Sequence, residues 1–192
     1  MTDTRAKTQA EPPTALYPRL LGSGWRDLNP AIRQLHLTAH VATGRFELHH
    51  GRSLAARFTC FALRLPSPAA VLEARLVIVR DAESEKWVRT FGPRVLVTTQ
   101  RGQPDGTLSE RFGALELRFH LQVVEDTLKY VQAGTGVMVG RFRIPLPRWI
   151  SPRVESQETC IDGRRPHVRV RISAPWIGLV MSYEGCVQVE SA

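Results

Sequence analysis

From residue 73 onward, apolar and polar side chains alternate with a period of two, and short turn signals interrupt the alternation. Leu115, Leu117, Phe119 and Leu121 interleave with Glu116, Arg118 and His120. Val168, Val170 and Ile172 interleave with His167, Arg169 and Arg171, and Phe142 and Ile144 with Arg141 and Arg143. Alternation of this kind belongs to strands with one buried and one wet face. It predicts strands over Ala74–Arg80, Lys86–Phe91, Arg94–Gln100, Thr107–Phe112, Leu115–Val124, Thr127–Gln132 and Met138–Ile144. Three more follow at Arg153–Ile161, His167–Ile172 and Ile177–Val189, the last bent at Gly185. Gln103-Pro104-Asp105-Gly106 is a type I turn signature, and Asp162-Gly163 marks another hairpin. Several connections are too short for parallel crossovers, so neighbours run antiparallel. A long meander with a single apolar face must curl to cover it. The expected fold is α+β and mainly β: an antiparallel meander curled into a barrel or half-barrel, with N-terminal helices packed on it.

Before residue 73 the pattern differs. Residues 1–13 are polar, contain Pro12 and Pro13, and are expected to form a disordered leader to a single domain over residues 14–192. A helix over Leu16–Leu21 stops at Gly22-Ser23-Gly24. A second begins with Asn29 as N-cap and Pro30 at the first helical position, with Ile32, Leu35 and Ala39 on its apolar face. A strand covers Arg45–His49. Ser53 then caps a third helix, Leu54–Leu65, which Pro66 and Pro68 stop. Leu54, Ala55, Phe58, Phe61, Ala62 and Leu65 give this helix its apolar positions, which are expected to pack as a core element plugging the barrel. A lid over a cavity, or a helix resting on lipid with Arg52, Arg57 and Arg64 at headgroup level, are the other readings.

A chain of 192 residues with 43% apolar and 23% charged residues can bury a core without disulfide or metal staples. Its three widely spaced cysteines, Cys60, Cys160 and Cys186, read as free thiols, and a cytoplasmic location is expected. No apolar run is long enough to span a bilayer as a helix, although peripheral membrane contact stays open. The net charge of +8 comes almost wholly from 23 arginines against 3 lysines. These arginines are dispersed along the sequence, which argues against a nucleic-acid stripe and for solvated faces.

Catalytic and metal motifs are sparse. His36 and His40 have metal-ligand spacing on the second helix, but the residues between them lack the carboxylate of the zincin pattern. No nucleophile elbow or phosphate-binding glycine fingerprint is present. Glu155 and Glu158 should face Arg169 and Arg171 across a hairpin as ion-pair decoration of a wet face. No metal, catalytic residue or cofactor is assigned. The expected function is non-enzymatic binding of an apolar or amphipathic, lipid-like small molecule in a curled-sheet cavity. The ligand-binding candidates are Arg141, Arg143, Arg169 and Arg171 for an acidic head, with Phe58, Phe61 and His49. The other readings are an enzyme using His49 or His50 as acid or base, and a protein or membrane-surface interaction module.

One resemblance spans residues 15–190. Leu16-Tyr17, Leu20-Leu21-Gly22, Trp25, Leu28-Asn29-Pro30, Arg111-Phe112-Gly113 and Gly140-Arg141-Phe142 appear in order. So do Ile144-Pro145-Leu146-Pro147, Pro152-Arg153-Val154-Glu155, Pro175, Ile177-Gly178-Leu179 and Tyr183-Glu184-Gly185. Together these blocks resemble domain-of-unknown-function family 4166, a bacterial domain. The resemblance implies a single domain, found free-standing or joined to nucleotide-binding oxidoreductase-like domains. It thus implies an accessory role in an oxidoreductase system as a further reading, with no catalytic residue to carry over.

Overall fold

The computed structural model describes residues 15–37 and 40–190. The expected leader over residues 1–13, and Ala39, lie outside them. The strands are β1 (Val41–His50), β2 (Ala69–Arg80), β3 (Ser84–Phe91), β4 (Arg94–Gly102), β5 (Leu108–Phe112) and β6 (Leu115–Val124). They continue as β7 (Thr127–Val139), β8 (Phe142–Pro145), β9 (Arg153–Cys160), β10 (Pro166–Ala174) and β11 (Gly178–Val189). All pairings are antiparallel, in the order β6-β5-β4-β3-β2-β1-β11-β10-β9-β7-β8, and β6 also pairs with β7. That last pairing closes ten strands into a barrel and leaves β8 outside as a short flap on β7.

The alternation read from the sequence is the alternation across this wall. Ile78, Trp87, Phe91, Phe119, Tyr130, Val170 and Tyr183 belong to the core, Leu76 packs against it, and their strand neighbours lie on the wetter face. The strand expected over Met138–Ile144 is two elements. Met138 and Val139 end β7, Gly140 turns with φ +59°, and β8 doubles back. Phe142 and Ile144 were expected to be buried, yet they are exposed because the flap has no second layer over it. The first strand begins at Val41, four residues before the expected Arg45. β11 runs unbroken through Gly185. A side chain there would lie 2.1 Å from the Arg45 carbonyl oxygen, so glycine is what lets β1 and β11 approach.

Helix α1 (Leu16–Leu21), a 3₁₀ segment (Gly22–Asp27) and helix α2 (Pro30–Leu37) cap one end of the barrel. Asn29 Oδ1 accepts from the Ala31 amide at 3.0 Å, which fixes the start of α2. Arg80, at the end of β2, donates to the His36 carbonyl near the end of α2 at 3.1 Å. Leu16, Tyr17, Leu28, Ile32 and Leu35 are buried beneath this cap.

Helix α3 (Leu54–Ala62) sits at the opposite end, against β11 and β1. Ser53 Oγ accepts from the Ala56 amide at 3.1 Å as the N-cap. The helix docks through its small residues. Ala56 and Cys60 are buried, and Gly51 brings the chain so close to Leu179 that any side chain would collide with its carbonyl. The expectation of a core helix is therefore corrected: Leu54, Phe58 and Phe61 point into solvent. The backbone approach leaves room only for small groups on the docked face, the Ala56 methyl and the Cys60 thiol, so the large side chains take the outer one.

Candidate functional site

The interior of the barrel holds a partly open cavity of about 360 Å³. Most of its wall is apolar: Phe46, Leu76, Phe91, Leu117, Val170 and Met181 are among its lining residues. Phe46, Phe91 and Tyr183 form an aromatic cluster with ring centroids 5.5–5.9 Å apart. Period-two alternation places each of these side chains inside, since each lies two or four residues from another inward group.

Into this apolar space project a few polar groups. Arg89 of β3 donates to Thr98 Oγ1 at 2.7 Å through Nη1 and to Glu110 Oε1 at 3.2 Å through Nη2. Its guanidinium also lies 5.1 Å from the Trp87 ring centroid. Burial works against the charge on Arg89, but Glu110 and nearby groups hold its pKa above the ordinary arginine value. Burial raises the Tyr183 phenol pKa, so this cavity-lining hydroxyl keeps its proton.

The floor of the cavity, under the helical cap, is a hydrogen-bonded chain. Tyr17 of α1 donates to Gln100 Oε1 at 2.9 Å and lies 3.1 Å from the Tyr130 hydroxyl. Tyr130 donates to Glu158 Oε1 at 2.7 Å, and Glu158 Oε2 lies 2.8 Å from His36 Nε2. The network links both cap helices to β4, β7 and β9. It corrects the expectation that Glu158 decorates a wet face: it faces inward, and its buried carboxylate is met by Tyr130 on one oxygen and His36 on the other. Glu155 does face Arg171 across the β9–β10 pair, as the hairpin register predicted.

One place in the wall is built differently. β9 pairs with β7 only from Leu128 to Tyr130, whereas the second half of β7 pairs with the β8 flap. Between them the Gln132 side chain takes the place of ladder bonds. Its Oε1 accepts from the Val154 amide at 2.7 Å, and its Nε2 donates to the Pro152 carbonyl at 2.9 Å and to Thr135 Oγ1 at 2.8 Å. Gln132 lies two residues from Tyr130 and opposite Phe119, in the inward phase of β7, and a bulge follows it before Arg118 pairs with Gly134.

The residues singled out from sequence stand outside the cavity. Arg143, Arg169, Arg171 and His49 come together along an open groove on the outer wall. Arg143 is 2.8 Å from Glu116, Arg169 pairs with Glu184 at 2.5 Å, and His49 lies 3.8 Å from Glu47. Arg141 sits over the Phe142 ring on the flap. Phe58 and Phe61 stand on the outer face of α3. His50 points the other way and shares a hydrogen bond of 2.7 Å with the Pro66 carbonyl. His36 is committed to Glu158, and His40 is exposed. The polar cavity residues that sequence reasoning passed over are Arg89, Thr98 and Glu110. The signal was available: Arg89 is two residues from both Trp87 and Phe91, so it occupies the inward phase of its strand.

Fold and site together define an antiparallel β-barrel that is closed around an apolar cavity and helix-capped at one end. The chain belongs to the DUF4166 family, a domain of unknown function, whose model matches residues 28–186. A comparison with curated proteins finds no match. Among solved structures, the chain is similar to a crystal structure of a DUF3598-family protein of unknown function from Nostoc punctiforme PCC 73102. The identity is 12%, the match covers 80% of this chain and 48% of that one, and the TM-score is 0.40. The chain thus spans about half the length of that protein.

Proposed function

We propose that the barrel binds an amphipathic small molecule, with the apolar body in the cavity and a polar acceptor directed at Arg89. The observation that carries this reading is the cavity itself: about 360 Å³, apolar in most of its wall, with a hydrogen-bonded guanidinium inside. Small-molecule sites share this composition of an apolar wall and a few fixed polar groups, and begin near about 300 Å³. A packed barrel of this size would fill its interior with side chains.

Native mass spectrometry of the purified chain, followed by denaturing extraction, tests the proposal. A stoichiometric amphipathic molecule, or saturable binding of a fluorescent fatty acid to the emptied protein, supports it. Absence of both overturns it.

A further inference from the structure

At the end of the barrel away from the helical cap, large apolar side chains stand in water. Leu54, Phe58 and Phe61, spaced four and three apart on one face of α3, are 81%, 71% and 79% exposed. Trp149 in the β8–β9 connection and Trp176 in the β10–β11 turn are 66% and 91% exposed. These segments are tied to one another. Trp176 Nε1 donates to the Trp149 carbonyl at 3.2 Å, and Ser53 Oγ donates to the Ile177 carbonyl at 3.2 Å. The apolar groups therefore form one rim built from three connections.

The charge on the connections at this end has one sign. The connections at this end, residues 51–68, 92–93, 113–114, 140–152 and 175–177, contain six arginines and no Asp, Glu or Lys. The arginines are Arg52, Arg57, Arg64, Arg141, Arg143 and Arg148, of which Arg143 is paired with Glu116. The interstrand connections at the capped end, residues 81–83, 103–107, 125–126 and 161–165, contain six carboxylates against Arg164 and Arg165. The cap adds Arg19, Arg26 and Arg33 against Asp27, so that end still carries seven acids against five arginines.

We propose that this rim is a docking surface for an anionic lipid bilayer. Phe58, Phe61, Trp149 and Trp176 enter the boundary between headgroups and acyl chains, and the arginines meet lipid phosphates. Interfacial segments combine these two features, apolar and aromatic groups for insertion and a cationic surround for the anionic surface. Trp and Phe at the tips of connections suit a planar boundary that is apolar on one side and wet on the other. The connections themselves bring no carboxylate to an anionic surface, and Glu116, at the start of β6, is neutralised by Arg143. The inference does not depend on what occupies the cavity.

Flotation of the full chain with phosphatidylcholine vesicles, with and without phosphatidylglycerol, tests it. The wild-type chain is expected to bind the phosphatidylglycerol vesicles at least about tenfold more tightly, with affinity falling as salt rises. The double variant Phe58→Ser/Phe61→Ser is expected to lose about tenfold or more of that binding, while its circular dichroism and melting stay those of the wild type, because both side chains are exposed. Failure to bind the anionic vesicles overturns the proposal, as does binding that the double variant leaves intact. Binding of polyglutamate as tight as that of vesicles, and lost in the same variant, would assign the surface to an acidic polypeptide instead. Fatty-acid binding by the double variant in vesicle-free solution reads the cavity separately, so the two proposals fail independently.

Discussion

His36 on the second cap helix lies 2.8 Å from Glu158 on β9; the His36 side chain is fully buried and that of Glu158 nearly so. This contact joins the cap to the barrel wall. Removing one partner of a buried pair leaves the other desolvated and uncompensated, at a cost of about 3–5 kcal/mol. Glu158→Leu should therefore lower the melting temperature by on the order of 10 °C for a chain of this length. Differential scanning calorimetry checks this.

The same pair sets a pH dependence. Burial alone would raise the Glu158 pKa, but the charge on His36 and the hydrogen bonds from His36 and Tyr130 hold it below the ordinary carboxylate value of 4.5. A carboxyl with a depressed folded-state pKa stabilises the fold fully above its unfolded value. That contribution is lost as pH falls from there through the folded pKa. Urea unfolding at a series of pH values should show wild-type stability falling below about pH 4.5, with a shallower fall in Glu158→Gln. Parallel curves for the two proteins would show that other carboxylates dominate the acid limb.

Gln132 holds one seam of the wall. Its amide oxygen is the partner of the Val154 N–H at the one seam where β7 and β9 do not pair. Gln132→Ala leaves that donor and the Pro152 carbonyl without it, at about 1–3 kcal/mol. Hydrogen exchange should speed up at Val154 more than at Val170, which lies within the β9–β10 ladder. Equal acceleration at both amides would mean that the side chain does not hold the seam locally.

Arg89 and Glu110 are coupled by their 3.2 Å contact. Arg89→Met alone should destabilise the barrel by several kcal/mol, because Glu110 loses its cation. Adding Glu110→Leu should recover most of the loss, since two apolar groups replace a buried pair at little net cost. Both variants should discriminate less than wild type between a fatty acid and its methyl ester. Titration with the two ligands reads this directly.

Ala56 tests how α3 is held. The residue is fully buried against the barrel. Ala56→Leu should cost about 1–3 kcal/mol through overpacking, whereas Phe58→Ser on the outer face should change stability by less than about 0.5 kcal/mol. Thermal melts of the two single variants give the comparison.

The sheet was legible because its signal is local: each strand shows its phase in its own residues, and short hairpin connections leave only antiparallel neighbours. The β8 flap was not, because Phe142 and Ile144 alternate like a core strand and nothing local marks a strand with no second layer. α3 failed in the opposite sense. Its large apolar residues suggested the inner face, but docking was decided by Gly51, Ala56 and Cys60, whose smallness matters only once β11 lies against them. The cavity arginine was hidden by the habit of assigning charge to the wet phase. The segregation of charge was invisible for a topological reason. In an up-and-down barrel successive connections go to opposite ends, so a scan along the chain mixes two populations that the fold separates.

The pairing of β1 with β11 bears on how the molecule reaches its final shape. Partners along it are separated in sequence by 131 residues, from His50 to Met181, up to 147, from Ala42 to Val189. The local hairpins from β2 to β7 can form while β11 is still on the ribosome, but the sheet keeps an open edge at β1 until then. Unpaired edges and a bare apolar face invite association with other chains, and contacts of long sequence separation form slowly. A ribosome stalled before residue 178 would therefore hold a nascent sheet with two free edges, β1 and β10, and an unshielded lining, the form of this protein most exposed to aggregation and most in need of a chaperone.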